Sequence, residues 1–216
     1  REVFLKKIDG MLYGDKPEEG FFYKNTFIHK PLNFFFNFDE SIFFINNPKF
    51  LLGLGENDTK IFFDVDNNMK QDDLEYFSSW VKTPKKNILD YSKKTIGNFI
   101  ISECVVKKSD KTIGLALIKD DKNLYRFSIT SEKKYFKNYK KKFSDIVYSF
   151  GRVSTNSRII NIEPPKIRVI MKSPKENFIK EVIKNSSFQK RFSKEIFMTI
   201  NNIHEIKTNQ KIKTVY

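Results

Sequence analysis

An α+β fold, in which an antiparallel sheet covered by helices is followed by a small β-α-α-β unit, is what this sequence predicts, and three observations predict it. Ile113, Leu115 and Leu117 alternate with Gly114 and Ala116, and after the turn Asp120-Asp121-Lys122-Asn123 apolar residues again fall at every second position from Leu124 to Ile129. A period of two puts one set of side chains on each face of a hairpin. The period then changes: Phe136, Tyr139, Phe143, Ile146, Val147 and Phe150 are three or four apart, while Lys133, Lys134, Lys137, Lys140, Lys141 and Lys142 take mostly the other side. That is one apolar stripe on a helix, and it needs a sheet to lie on. The third observation is the tail beyond Lys166, where two helical patterns stand between two short alternating runs.

In chain order, Val3, Phe4 and Ile8 make a weak stripe that reads as the last turns of a helix stopped by Gly10. Asp9 to Gly20 is a loop dense in turn residues, and its carboxylates fit no calcium-loop spacing. From Phe27 to Phe63 a meander of short antiparallel strands is expected: Phe27 to His29, Phe34 to Phe38, Ile42 to Asn46, Lys49 to Leu54 and Thr59 to Val65. Asp72 to Trp80 carries Leu74, Phe77 and Val81 at helical spacing, with Pro84 closing it, and Trp80 is expected to pack on the sheet. Ile96-Gly97-Asn98-Phe99 turns into a strand from Ile100 to Val106. Ser154 to Ser157 and Glu163-Pro164-Pro165 read as a linker, Ile167 to Lys172 as a strand, and Phe178, Ile179, Val182 and Ile183 as a helix opened by Ser173-Pro174. Ser193 is placed as the cap of a second helix with Ile196, Phe197 and Ile200, and Lys211 to Tyr216 returns as a strand.

With 216 residues, 39% apolar and 15% aromatic, the chain has ample material for a folded core. No apolar run approaches the roughly 20 residues of a membrane-spanning helix. Beginning at Arg1 with no signal peptide, it reads as a piece of something longer. The net charge of +14 favours polyphosphates through counterion release, but the lysines are spread over the whole chain among abundant Asn, Ile and Phe. The aromatic and glycine pattern of RNA-binding sheets and paired zinc-finger cysteines are missing, so nucleic acid is disfavoured as a partner. The lone Cys104 sits in an apolar run and reads as a core residue.

The runs from Phe4 to Gly20 and Phe27 to Leu32 are similar to the junction at which the catalytic domain of bacterial HtpX/BepA-like zinc metallopeptidases gives way to their C-terminal region. Phe44 to Pro48, Thr95 to Asn98, Leu124 to Phe127 and Ile146 to Phe150 extend that resemblance along the chain, as a match of order and spacing. Residues 20 to 152 also resemble the PsbP-type sandwich in the order of strands and helices, and the last fifty or so residues resemble the LysM module, which binds N-acetylglucosamine-containing glycans such as peptidoglycan. These resemblances imply residues 1–20 as the end of a truncated peptidase domain with its junction loop, 21–152 as a PsbP-like α+β domain, 153–166 as a linker and 167–216 as a LysM-like domain.

The LysM resemblance marks Pro174, Lys175, Glu176, Asn177, Asn201 and Asn202 as candidate glycan contacts. Pro174 to Asn177 stands where the module has Pro-Gly-Asp-Thr. A tight loop that lets a sugar approach the backbone tolerates a Cβ poorly, so loss of that glycine favours a structural module over a glycan-binding one. Lys133, Lys134, Lys137, Lys140 and Lys141 are candidates for contact with an anionic surface.

Catalysis needs groups that the chain lacks. A peptidase of the resembled family needs His-Glu-x-x-His on one helix, so that two imidazoles ligate zinc and the glutamate activates its water. His204-Glu205 starts correctly, but Thr208 stands at the second histidine, and the other histidine, His29, lies far away. Gly53-Leu54-Gly55 is too short for a dinucleotide loop. Asp64 and Asp66 share one strand face, as paired acids would, but so do the acids of a solvated edge. The expectation is therefore a non-catalytic accessory region of a cell-envelope zinc metallopeptidase. It has no cofactor of its own, zinc is implied only for the missing peptidase domain, and that domain in cis is the partner, with peptidoglycan or envelope proteins as further ones. The resemblance implies the periplasm or envelope of a bacterium. The alternatives are a free-standing basic module for peptidoglycan or another anionic polymer and, behind it, a nucleic-acid-binding protein.

Overall fold

The computed structural model describes residues 2–66, 72–171, 173, 177–202 and 209–216. The protein is mixed α+β with antiparallel sheets and divides into two units, Ser41–Ser149 and a unit made of Arg1–Glu40 with Phe150–Tyr216.

The Ser41–Ser149 unit is built on one seven-stranded sheet. Its strands are β4 (Phe43–Asn47), β5 (Phe50–Leu54), β6 (Lys60–Asp66), β7 (Ile88–Ile96), β8 (Phe99–Lys107), β9 (Lys111–Lys119) and β10 (Leu124–Glu132). The order β4-β5-β6-β10-β9-β8-β7 joins two meanders through an antiparallel β6–β10 pair. The hairpin expected at 112–129 is β9–β10, in register from Leu124 opposite Lys119 to Glu132 opposite Lys111. Helix α3 (Lys133–Tyr148) follows it and buries Phe136, Tyr139, Phe143, Ile146 and Val147, the stripe read from the sequence. Phe150, read as part of that stripe, lies beyond the end of the helix.

Helix α2 (Asp73–Trp80) is capped by Asp72, whose carboxylate accepts the Leu74 and Glu75 amides at 3.0 and 3.4 Å. Its Tyr76 and Phe77 are buried with Cys104, Val106, Leu115, Leu117 and Leu124, and Trp80 packs against this cluster. Side chains at cross-strand partners share a face. By register, therefore, Leu117 and Ser102 lie on the α2 side of the sheet, while Glu103, Ala116 and Gly114 lie on the α3 side. Among the described residues no helix covers the α2 side of β4, β5 and β6, where Ile45, Phe50 and Phe62 are 44%, 37% and 41% exposed.

The other unit holds α1 (Glu2–Ile8), β1 (Phe21–Tyr23), β2 (Thr26–His29), β3 (Phe34–Asn37), β11 (Ile167–Met171), α4 (Phe178–Asn185), α5 (Ser193–Asn201) and β12 (Lys211–Val215). Gly10 ends the first helix in the left-handed region at φ 84°, and its N–H donates to Ile167 O at 2.8 Å. The meander expected from Phe27 to Phe63 is interrupted: β1, β2 and β3 form a three-stranded sheet of their own and β4 begins another. The reason lies on the free edge of β3, where Phe35 exchanges both backbone hydrogen bonds with Gly151 at 2.9 Å. The segment 153–166, expected as a linker, packs on this sheet, with Val153 and Ile159 buried beside Phe21, Ile28 and Phe35. β11 and β12 pair antiparallel, and Val182, Phe188, Phe197, Ile212 and Val215 form a second cluster, with Tyr13 edge-on to Phe188. Ser193 opens α5 as its first residue, the cap position being Phe192.

Candidate functional site

Three polar clusters lie on the seven-stranded sheet, and the first contains the two acids singled out by spacing. Asp64 and Asp66 of β6 do share a face, as period two requires. Arg126 of β10 stands directly opposite Asp64. Its Nε donates to Asp64 Oδ1 at 2.7 Å, its Nη2 to Asp64 Oδ2, and its Nη1 to Asp66 Oδ2 at 3.1 Å and to Tyr76 Oη at 3.0 Å. Tyr76 donates in turn to Asp66. The guanidinium carbon lies 5.1 Å from the Trp80 ring centroid. Burial disfavours the Arg126 charge, but the pairing with Asp64 outweighs it and holds the guanidinium protonated. Burial, with the bond to Asp66, pushes the Tyr76 phenol up to about 12. A carboxylate bound in a two-pronged fork by Arg is poorly placed to take a proton from a substrate.

The second cluster is centred on Asp73, which is 2% exposed at the start of α2. It accepts from Ser102 Oγ at 2.7 Å, from Lys93 Nζ at 2.8 Å and from Lys119 Nζ. Burial alone would raise this carboxyl, but the bonds from Lys119, Lys93 and Ser102 overcome it and hold the pKa at about 2. The third is Glu103 of β8, whose carboxylate accepts Ser144 Oγ at 3.2 Å and the Tyr148 hydroxyl, both from α3.

The remaining reactive types are also engaged. The Cys104 thiol is buried, and burial, with the neighbouring Glu103 charge second, pushes it up to about 12, far from a thiolate nucleophile. His29 Nδ1 accepts the Leu32 N–H at 3.1 Å, its ring stacks on Phe34, and burial lowers its pKa. His204, Glu205 and Thr208 lie outside the described residues. Among the described residues no group of three or more His, Cys, Asp or Glu is placed to hold a metal ion. No described helix is long and apolar enough to cross a membrane.

Of the candidate glycan contacts, Pro174, Lys175 and Glu176 lie outside the described residues. Asn177 is exposed and precedes α4 without a side-chain cap bond. Asn201 is 8% exposed and its amide is spent on backbone: Nδ2 donates to Phe197 O and Lys213 O, both at 2.9 Å, and Oδ1 accepts Lys213 N–H at 2.7 Å. Asn202 ends α5 in the left-handed region at φ 48°. Asn201 and Asn202 line a groove of about 320 Å³ with Phe4, Lys211 and Lys213, and Asn177 does not reach it. Of the candidate lysines on α3, Lys134 pairs with Glu132 and Lys140 with Asp90, each at 3.1 Å, while Lys133, Lys137 and Lys141 are exposed.

Sequence reasoning missed Arg126, Asp73 and Glu103. An Arg on an otherwise alternating strand was a signal for the first; the others depend on registers that no local pattern carries.

No protein-family model matches the chain, and no curated protein matches it. Among solved structures it is similar to the solution structure of cyanobacterial PsbP (CyanoP) from Synechocystis sp. PCC 6803, at 9% identity, covering 64% of this chain and 98% of that one, with a TM-score of 0.47. It is also similar to a crystal structure from Bacteroides thetaiotaomicron VPI-5482, at 10% identity, covering 87% of this chain and 64% of that one, with a TM-score of 0.43. Both are likenesses of fold at most and say nothing of chemistry.

Proposed function

We propose that this chain is a non-catalytic accessory region of a cell-envelope zinc metallopeptidase, which positions a peptidase domain or binds envelope components. The observation that carries the non-catalytic part is the internal engagement of the reactive side chains: Asp64 and Asp66 by Arg126, Asp73 by two lysines, Glu103 by Ser144 and Tyr148. The peptidase context rests on the order and spacing of the motifs from Phe4 to Phe150. A contact role is supported by the α2 side of β4, β5 and β6, because partly exposed Phe50 and Phe62, with rings 5.9 Å apart, are the kind of patch that marks a protein interface.

The runner-up, a free-standing basic module for an anionic polymer, is favoured by one observation: Lys133, Lys137 and Lys141 are exposed and four residues apart on one helix. Co-sedimentation with purified peptidoglycan at several salt concentrations separates the readings. Pelleting that resists salt supports glycan recognition, and pelleting that disappears with salt is charge alone. The same chain incubated with zinc and an unfolded protein is expected to give no hydrolysis; cleavage would overturn the accessory reading.

A further inference from the structure

On the α3 side of the sheet a cavity of about 220 Å³ opens between α3 and the β7–β8 edge. Two local features shape it. The register of β7 on β8 shifts between Leu89 and Ser92, with Asp90 at φ 53°, so the edge strand is irregular beside Cys104 and Val105. Gly114 on β9 lets the side chains of Ile129 and Phe136 close down on the strand, where a Cβ would stand 2.8 Å from Ile129 and 3.3 Å from Phe136, and so sets how deep the Phe136 wall sits. Phe136 and Phe143 give an apolar wall, and Glu103, Ser144 and Tyr148 a polar one.

We propose that this cavity binds a small primary amine carried on an apolar ring. A carboxylate has about four acceptor positions. Glu103 uses two for Ser144 and Tyr148, which leaves acceptor capacity for a further donor. Its negative charge favours an ammonium or a neutral donor over a carboxylate or phosphate, although the Lys94 ammonium donates to the same Tyr148 hydroxyl at 3.3 Å. The rim pair Asp90–Lys140, at 3.1 Å, is 64% and 51% exposed and contributes little to the field inside. The aromatic walls suit a cation and a ring alike. A cavity of roughly 150 Å³ accepts benzene, so this volume suits a benzene ring with a two-carbon amine arm. The proposal stands apart from the accessory reading.

The test is an amide NMR titration of the full chain with 2-phenylethylammonium, 2-phenylethanol and phenylacetate. Saturable shifts centred on Glu103, Gly114 and Ser144 are expected with the amine, weaker binding with the alcohol and none with the acid. Glu103→Gln is expected to weaken the amine by about tenfold or more and leave the alcohol nearly unchanged. Ser92→Phe, at the mouth, is expected to abolish both. Absence of saturable shifts with the amine, or binding of phenylacetate as tight as that of the amine, would overturn the proposal with the unmodified protein alone. An amine affinity unchanged in Glu103→Gln would do the same.

Discussion

Arg126 on β10 and Asp64 on β6 face each other across the strand pair, and the guanidinium fork closes on both oxygens of the carboxylate. Removing one side of such a pair leaves the other charged and half-buried. Arg126→Met is therefore expected to destabilise the protein by about 2 kcal/mol in urea unfolding, because Asp64, Asp66 and Tyr76 lose their common partner. Adding Asp64→Asn and Asp66→Asn to that variant is expected to restore much of the loss. If Arg126→Met is neutral on its own, the fork is a surface pair only.

Asp73 sets an acid limit. Its carboxyl lies at about 2 in the folded protein against 3.8 ordinarily, so the folded state binds its proton less tightly than the unfolded chain. The stabilisation is complete above about pH 4, fades as pH falls towards 2, and is on the order of 2 kcal/mol. Chemical unfolding between pH 2 and 7 is expected to show this slope, and Asp73→Asn to be less stable at neutral pH with a shallower acid dependence. Equal slopes in the two proteins would assign the acid loss to other carboxylates.

Asn201 and Asn202 are adjacent, yet opposite outcomes are expected from them. Asn201→Ala removes three bonds to backbone, two of which tie α5 to β12, and is expected to cost about 2 kcal/mol in thermal unfolding. Asn202→Gly, at φ 48°, is expected to be neutral within about 0.5 kcal/mol.

The exposed lysines of α3 can be changed without touching its buried stripe. Replacing Lys133, Lys137 and Lys141 together by Glu is expected to leave the unfolding midpoint within a few degrees of the parent and to remove any pelleting that salt also removes. Retention of that pelleting would shift the basic contact to another face.

Local periodicity carried much of this fold. The α3 stripe was legible because five buried positions on a single helix are fixed by the helix's own repeat. β7 was not, since Ile88–Ile96 is largely exposed and its register shift breaks the alternation that marks a strand. The split between β3 and β4 depends on Gly151 arriving at Phe35 from more than a hundred residues away. The same limit governs the polar clusters. Spacing put Asp64 and Asp66 on one face, but their partner comes from the pairing of β6 with a strand some sixty residues later. Asn201 was marked for sugar by position, whereas burial commits it to the backbone of β12.

The discontinuity of the unit made from Arg1–Glu40 and Phe150–Tyr216 has a consequence during synthesis. As the chain leaves the ribosome, Ser41–Ser149 has all its own strands and both its helices before the remaining third is translated, so it is free to close first. Phe21, Phe27, Phe34 and Phe36, each at most 2% exposed in the finished protein, must meanwhile wait for Phe150 and Val153. A nascent chain arrested between these points presents a phenylalanine-rich hairpin to solvent, and it is there that a chaperone holding aromatic segments would be needed.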